Sequence, residues 1–294
     1  MEHNEPLIIA AIFAAGFGCQ WFAWKVKIPA ILPLLATGLL LGPVGLDIIH
    51  PRDALGDLFF PFVSLSVSII LFEGSLTLNF REVRNLATVV RNLLVIGTLI
   101  SWLGGAAAAH YFIGLNWELS LLFGALIVVT GPTVIAPILR NVRPTASVSS
   151  VLKWEGILID PLGALLSVLV FDFIIAETSM LEGPIVGFFQ IVIIGAALGL
   201  AAGYLAYLGL RYYLVPDYLR DFALIALVTL TFAISNAFAP ESGLLAVTVM
   251  GIFLANTRLR QLREIWYFKE KLSIVLISVL FIVLAGNFTR ELLA

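Results

Sequence analysis

Apolar residues run along this chain in long blocks that short polar stretches separate. A helix that spans a bilayer needs roughly 20 predominantly apolar residues. Ten blocks reach or approach that length, and they cover residues 7–24, 28–49, 58–79, 89–113, 117–139, 149–175, 184–214, 222–239, 243–255 and 272–288. The pattern predicts an all-α, polytopic membrane protein with about ten transmembrane helices.

Composition supports the same class of protein. Hydrophobic residues make up 61% of the chain and charged residues 12%, with a mean hydropathy of +1.05, whereas soluble proteins carry about 25% charged residues. The expected partner is membrane lipid, and a net charge of −2 gives no sign of a nucleic-acid partner. The single cysteine, Cys19, excludes an internal disulfide and a cysteine-based metal site. No phosphate-binding motif is present, so energy from nucleotide hydrolysis is not indicated. We expect neither an enzyme nor a bound cofactor.

The basic residues predict the orientation of the helices. Loops that face the cytoplasm carry an excess of lysine and arginine. All 17 basic residues except Arg52 and Arg290 follow an odd-numbered segment or lie beside its end. We therefore expect odd-numbered segments to run inward and the N-terminus to lie outside a plasma (inner) membrane.

Candidate chemistry lies in the fifth and sixth segments. The fifth contains Thr130-Gly131-Pro132-Thr133, and the sixth contains Asp160. At 1.5 Å per residue, both features fall near the middle of a core about 30 Å thick. Gly131 loosens the backbone and Pro132 lacks an amide donor, which predicts a broken helix at 130–133. Unwound backbone at this depth must line a cavity or be buried in protein. The alternative is a simple proline kink.

Asp160 has the properties of an ion-binding carboxylate. Pro161 cannot donate to the carbonyl of Ile157, so an oxygen is left free within one turn. Surroundings of low dielectric favour the protonated form of a carboxyl group. One group could then hold a proton or a cation but not both, which is enough for obligate exchange. The alternative is a structural Asp160 paired with a basic residue on another helix.

Two further acidic residues lie in apolar segments. Glu155 is five residues before Asp160, about 140° round the helix and nearer the inner surface. It could line an inner funnel or pair structurally with a basic group. Glu73 lies below the midplane of the third segment, where it could approach the ion site or pair with an arginine.

These motifs resemble those of the monovalent cation:proton antiporters of the sodium/proton exchanger type. The matching stretches are residues 29–35 with 38–45, Phe72-Glu73-Gly74, Thr130-Gly131-Pro132-Thr133, residues 155–161, and residues 242–246 with Gly251. The resemblance implies a thirteen-helix fold of two inverted six-helix repeats. Residues 1–183 would be the first repeat, 184–214 a linker helix, and 215–294 the first three helices of an incomplete second repeat. It also implies a core domain that moves against a dimerisation domain, hence a homodimer.

The resemblance also assigns roles to residues. Asp160 would hold the ion and the proton in turn, with Thr130, Thr133 and Glu73 nearby. Gly131, Pro132 and Pro161 would shape the ion path, and Glu155 would pair with an arginine on a late helix.

Three features depart from the family pattern. Gly131 replaces an aspartate, and Ile159 replaces an Asn or Asp, so a single carboxylate remains in that pair and favours one-for-one, electroneutral exchange. The expected last three helices do not follow, so we expect a truncated form that does not transport as it stands.

Together these features predict a secondary antiporter that exchanges protons for Na⁺ or K⁺. No metal site is expected other than that for the transported monovalent cation. Two alternatives stay open at this stage. One is a membrane module without transport activity, such as a fragment, a sensor or an assembly partner. The other is a cation channel.

Overall fold

The structure is a computed structural model that describes residues 5–131, 134–135, 138–139, 142–175, 182–257 and 262–289. These residues form helices and connecting turns, with no β-strand among them. The ten main helices are α1 (Glu5–Val26), α2 (Ile31–Leu41), α3 (Phe59–Ser75), α4 (Ala87–Ile113), α5 (Trp117–Ile127), α6 (Ala146–Ile175), α7 (Glu182–Arg211), α8 (Arg220–Phe238), α9 (Ser242–Ala255) and α10 (Leu262–Ala285). Each overlaps the corresponding apolar segment, which confirms the all-α prediction.

Two predicted boundaries are wrong. The second segment, 28–49, is helical only over Ile31–Leu41, because the backbone of Gly42 is extended and the chain folds back on the end of the helix. The amides of Ile48 and Ile49 both donate to the carbonyl of Leu41 at 2.9 Å. The stretch before the tenth segment is helix rather than loop from Leu262 onward. That stretch is polar but contains neither glycine nor proline, so hydropathy alone misses it.

Among the residues that the structure describes, six helical stretches are long and apolar enough to cross a membrane, and four more apolar helices are shorter. Large apolar side chains cover the outside of these helices. Phe17, Trp24 and Phe112, for example, are 74%, 77% and 90% exposed. Such a surface suits lipid as the surrounding solvent, because apolar patches of this size are rare on soluble monomers.

Three clusters of buried side chains hold the helices together. The largest joins α3, α7, α8 and α9, and the second joins α1, α2, α10 and the start of α3. Helix α3 therefore links two packing units, with Phe59 in one and Phe72 in the other. The third cluster joins α4, α6 and the segment after α3 through Leu78, Trp154 and Ile157.

A stripe of glycines lets α7 and α9 pack closely. Gly195, Gly199 and Gly203 recur every four residues on one face of α7. A methyl group at Gly199 would lie 2.4 Å from the carbonyl oxygen of Ala246, and one at Gly203 would lie 2.9 Å from the ring of Phe253. Small residues at such spacing bring two helix backbones together in membranes.

Helices α4 and α5 also pack closely, and their contacts position the fifth segment. Gly114 ends α4 with φ +80, a left-handed conformation that glycine adopts without strain. The side chain of Asn116 caps α5 by accepting a hydrogen bond from the amide of Leu119. The indole of Trp102 then donates to the carbonyl of Leu121 at 2.9 Å. Gly124 faces the backbone of Trp102, where a Cβ would lie 2.4 Å from a carbonyl oxygen.

The glycine stripe gives a first prediction. We expect Gly199→Ala to lower the free energy of unfolding by about 1–3 kcal/mol, because the added methyl overpacks against Ala246. Gly209→Ala is the matched control on the same helix, since nothing lies within 4 Å of its new Cβ. Thermal unfolding in detergent, followed by tryptophan fluorescence, measures both variants. Equal midpoints for the two would contradict this account of the α7–α9 contact.

Candidate ion site at a broken helix

The fifth segment is broken where the sequence predicts it. Helix α5 ends at Ile127, and residues 129–131 are not helical. Helical structure resumes at Val134 and Ile135, whose amides donate to the carbonyl of Gly131 at 3.2 and 3.4 Å. The break therefore lies between Ile127 and Val134. Two predicted site residues, Pro132 and Thr133, lie outside the described residues.

The break exposes backbone groups that a continuous helix would satisfy. The last four carbonyls of a helix have no intrahelical partner, and they carry the negative end of the helix dipole. The last turn of α5 presents such carbonyls at the break. They are hard oxygen ligands of the kind that a monovalent cation requires once its water has been removed.

The break packs directly against α6. On α6, Cβ atoms at Gly156 and Gly163 would each lie 2.5 Å from a side-chain carbon, of Ile135 and Val129 respectively. A larger residue at either position would require the side chain of Ile135 or Val129 to shift. The two glycines thus fix the broken segment along two turns of α6.

Asp160 lies between these two contacts. Gly156, Asp160 and Gly163 follow the spacing i, i+4, i+7, which places them on one face of a helix. Because both glycines contact the broken segment, that face of α6 is the one turned toward the break. Asp160 and the break, for which the sequence predicts the same depth, therefore lie side by side.

The surroundings of Asp160 contain few polar groups. Its side chain is partly buried, while the neighbouring Ile159 and Pro161 are buried. Helix α6 continues through Pro161, so the carbonyl of Ile157 lacks its usual amide donor. Within the part of the chain that the structure describes, neither a hydrogen bond nor an ion pair is found for the Asp160 carboxylate. The described residues therefore show no basic partner for Asp160, which the alternative of a structural ion pair would require.

Glu155 contacts the break itself. The hydroxyl of Thr130 donates a hydrogen bond to Oε1 of Glu155 at 3.0 Å. From the sequence, Glu155 could line an inner funnel or pair with a basic group. Neither interpretation includes a contact with Thr130. Among the described residues, no ion pair of Glu155 is found. Two acidic side chains of α6 thus flank the broken segment.

Glu73 lies where α3 and α9 cross. A Cβ at Gly251 of α9 would lie 2.6 Å from Cβ of Ser75 and 2.8 Å from the carbonyl oxygen of Phe72. The side-chain amide of Asn256 adds a second link, because it donates to the carbonyl of Leu78 at 3.0 Å. Helix α3 also contacts α6. The structure thus places Glu73 in a tightly packed crossing, and its role at the ion site stays a prediction.

Sequence reasoning missed the residues that hold the site together. Gly156, Gly163 and Asn256 carry no chemistry of their own, so a search for ionisable groups passes over them. A signal was present for the first two, because a glycine precedes Asp160 by four positions and another follows it by three. No comparable pattern points to Asn256.

Comparison with known proteins identifies the family. A family model described as "Sodium/hydrogen exchanger, transmembrane" matches residues 8–289. "Probable Na(+)/H(+) antiporter 2" of Methanocaldococcus jannaschii is 25% identical over 298 residues, covering 97% of this chain and 69% of the relative. "K(+)/H(+) antiporter NhaP" of Alkalimonas amylolytica is 27% identical over 285 residues, covering 95% of this chain but only 48% of that relative.

A solved structure shows the same fold. The sodium proton antiporter MjNhaP1 of M. jannaschii superposes with a TM-score of 0.81 at 22% identity, over all of this chain and 74% of that one. The protein is therefore a multi-pass, all-helical membrane protein with a broken helix beside a carboxylate. It belongs to the sodium/hydrogen exchanger family.

The contact between Thr130 and Glu155 gives a second prediction. We expect Thr130→Val to lower the free energy of unfolding by about 1 kcal/mol, because the Glu155 carboxylate loses its hydroxyl donor. Thr130→Ser keeps the hydroxyl and serves as the control. Thermal unfolding of both variants tests the contact. A valine variant as stable as the serine variant would show that the hydrogen bond contributes nothing.

Proposed function

We propose that the protein is a secondary active antiporter that exchanges protons for Na⁺ or K⁺ at the break in the fifth segment, with Asp160 as the shared carboxylate. One observation carries the proposal. Asp160 lies on the face of α6 that packs against the break, between the contacts of Gly156 and Gly163. The names of the relatives support the reaction class, since they are described as Na⁺/H⁺ and K⁺/H⁺ antiporters.

The ligands for the cation come from both sides of the contact between α6 and the break. The carboxylate of Asp160 supplies the negative charge, and carbonyls at the end of α5 supply neutral oxygens. The hydroxyl of Thr130 supplies a further oxygen. Because its hydrogen is donated to Glu155, the lone pairs of that oxygen are left to face a cation. Thr133 and Glu73 complete the set of ion-binding residues that the sequence predicts.

Exchange follows from competition for one carboxylate. A protonated Asp160 carries no charge and has little affinity for a cation, and a bound cation excludes the proton. The carboxylate can therefore cross between the two faces of the membrane in either loaded form. Its empty, charged form would be costly to move through a region of low dielectric. Each cycle moves one cation against one proton, so the exchange is electroneutral.

The remaining parts of the proposal concern the setting of the site. We expect a homodimer in the plasma (inner) membrane. The distribution of basic residues predicts that the N-terminus lies outside. The division at 1–183, 184–214 and 215–294 also stays a prediction. Apart from the reversible protonation of Asp160, transport makes and breaks no covalent bond, so the proposal includes no enzymatic step and no cofactor beyond the transported ions.

Replacing Asp160 tests the proposed ion carrier. We expect Asp160→Asn to abolish cation-triggered proton release, because an amide takes up no proton near neutral pH and supplies no negative charge to hold the cation. The assay uses everted vesicles that contain the full-length protein and a pH-sensitive dye, with pulses of Li⁺, Na⁺ and K⁺. Asp172→Asn is the matched control, because Asp172 is exposed near the end of the same helix.

The same assay separates the rival functions. Activity that survives Asp160→Asn would overturn the role of Asp160. Absence of release in the unmodified protein, at normal expression, would favour a membrane module without transport. Ion flux far above the rates of transporters would favour a channel. The response across the three cations decides which of them is exchanged.

Glu155→Gln distinguishes a supporting role from a direct one. The amide still accepts a hydrogen bond from Thr130 but carries no charge. We expect a lower unfolding temperature and a change of less than about two-fold in the apparent affinity for the cation, if Glu155 only positions the broken segment. A large loss of affinity with unchanged stability would place Glu155 in the ion path. Titration of the dye response against cation concentration, together with thermal unfolding, measures both quantities.

A further inference from the structure

A groove runs between α1 and α2, away from the proposed ion site. It has a volume of about 550 Å³ and opens toward the outside of the helix bundle. Its walls include Gly18, Cys19 and Phe22 of α1 and Leu32, Ala36 and Thr37 of α2. Gly18 lacks a side chain, and nothing lies within 4 Å of the place where its Cβ would be. The absence of that side chain helps to form the groove.

The polar atoms in the groove are already paired with one another. The thiol of Cys19 donates to the carbonyl of Pro33 at 3.5 Å, and its sulfur lies 3.1 Å from the hydroxyl of Thr37. If the Thr37 hydroxyl donates to this sulfur, both donors among these groups are engaged. The walls therefore suit an apolar occupant such as a hydrocarbon chain.

The depth of the groove matches one leaflet of the bilayer. From Ala15, the deepest lining residue of α1, to Lys25 is ten residues, or about 15 Å of helix. That is about half of a hydrocarbon core roughly 30 Å thick. The groove therefore extends from the headgroup region to the middle of the membrane, as one acyl chain does.

The mouth of the groove is basic and aromatic. Lys25 and Lys27 are exposed there, and the ammonium of Lys25 lies 5.1 Å from the centre of the Trp21 ring. Trp24 is 77% exposed beside them. Tryptophan and lysine at the end of a spanning helix mark the level of the lipid headgroups. The Lys25 ammonium at this level complements the phosphate of an anionic lipid.

We infer that this groove binds one anionic phospholipid of the inner leaflet, with an acyl chain along Gly18 and the phosphate at Lys25. The anionic lipids of the cytoplasmic leaflet are attracted by basic residues beside a membrane helix. A second copy of the protein fits the groove less well. Two-fold docking through this face would bring the basic mouths of both copies toward each other, and like charges oppose that contact.

The inference is tested by competition between two lipids. Purified full-length protein is equilibrated with equal amounts of phosphatidylglycerol and phosphatidylcholine of the same acyl composition, and the retained lipids are counted by native mass spectrometry. We expect one tightly held phosphatidylglycerol per chain. Lys25→Gln should reduce the preference for phosphatidylglycerol about five-fold. Lys153→Gln, an exposed lysine on α6, should leave the preference unchanged.

Filling the groove tests the apolar part of the site. Gly18→Leu should reduce retention of phosphatidylglycerol at least five-fold, because the new side chain occupies the path of the acyl chain. Gly104→Leu is the matched control, since Gly104 is also exposed on an apolar helix with nothing within 4 Å of its Cβ. Circular dichroism and a monodisperse elution peak confirm that both variants fold.

Three outcomes would overturn the inference. One is equal retention of the two lipids by the unmodified protein. Another is an equal effect of the two leucine variants. The third is a change from dimer to monomer in Gly18→Leu with lipid retention unchanged, which would make a second copy the occupant of the groove.

Discussion

The structure depends on one constraint, which is that backbone polar groups within the membrane must find partners. Continuous helices meet it by themselves, but the chain between Ile127 and Val134 does not. The break persists because protein rather than lipid covers it on the side of α6. Gly156 and Gly163 bring the backbone of α6 against Ile135 and Val129, and Thr130 donates to Glu155. The same contacts that make the break tolerable place the Asp160 carboxylate beside the backbone groups that it exposes.

Close backbone contacts also organise the rest of the molecule. Between helices in lipid there is little hydrophobic gain from association, so close packing and hydrogen bonds must provide the stability. Glycines provide such contacts between α7 and α9, between α4 and α5, and between α2 and α10, where Gly38 faces the backbone of Ile282. Firmly packed surroundings hold a broken helix in one geometry, which ion selection requires. Glu73 lies in one such crossing, at the contact of Gly251 with α3.

The apolar blocks predict all ten helices and the site of the break, because hydropathy and helix breakers act locally. The prediction of helix boundaries fails where the polarity of the local sequence is ambiguous. The helix from Leu262 is polar and resembles a loop, while the stretch after Leu41 is apolar and resembles a helix. The contact between Thr130 and Glu155 could not be predicted, because it depends on how far each helix rotates about its own axis. The angle of 140° between Glu155 and Asp160 suggested separate environments, yet the long Glu155 side chain reaches the break.

The sequence by itself determined the class of protein, the order of the helices, the position of the break and the presence of a carboxylate in the next segment. These features follow from composition, from the length of apolar runs and from the missing amide of a proline, all of which are properties of short segments. Only the tertiary structure decided that the face of α6 with Gly156, Asp160 and Gly163 meets the break, and that Glu155 accepts the hydrogen bond of Thr130. The physical reason is that the rotation of a helix in lipid is set by close packing with its neighbours, which no single segment specifies.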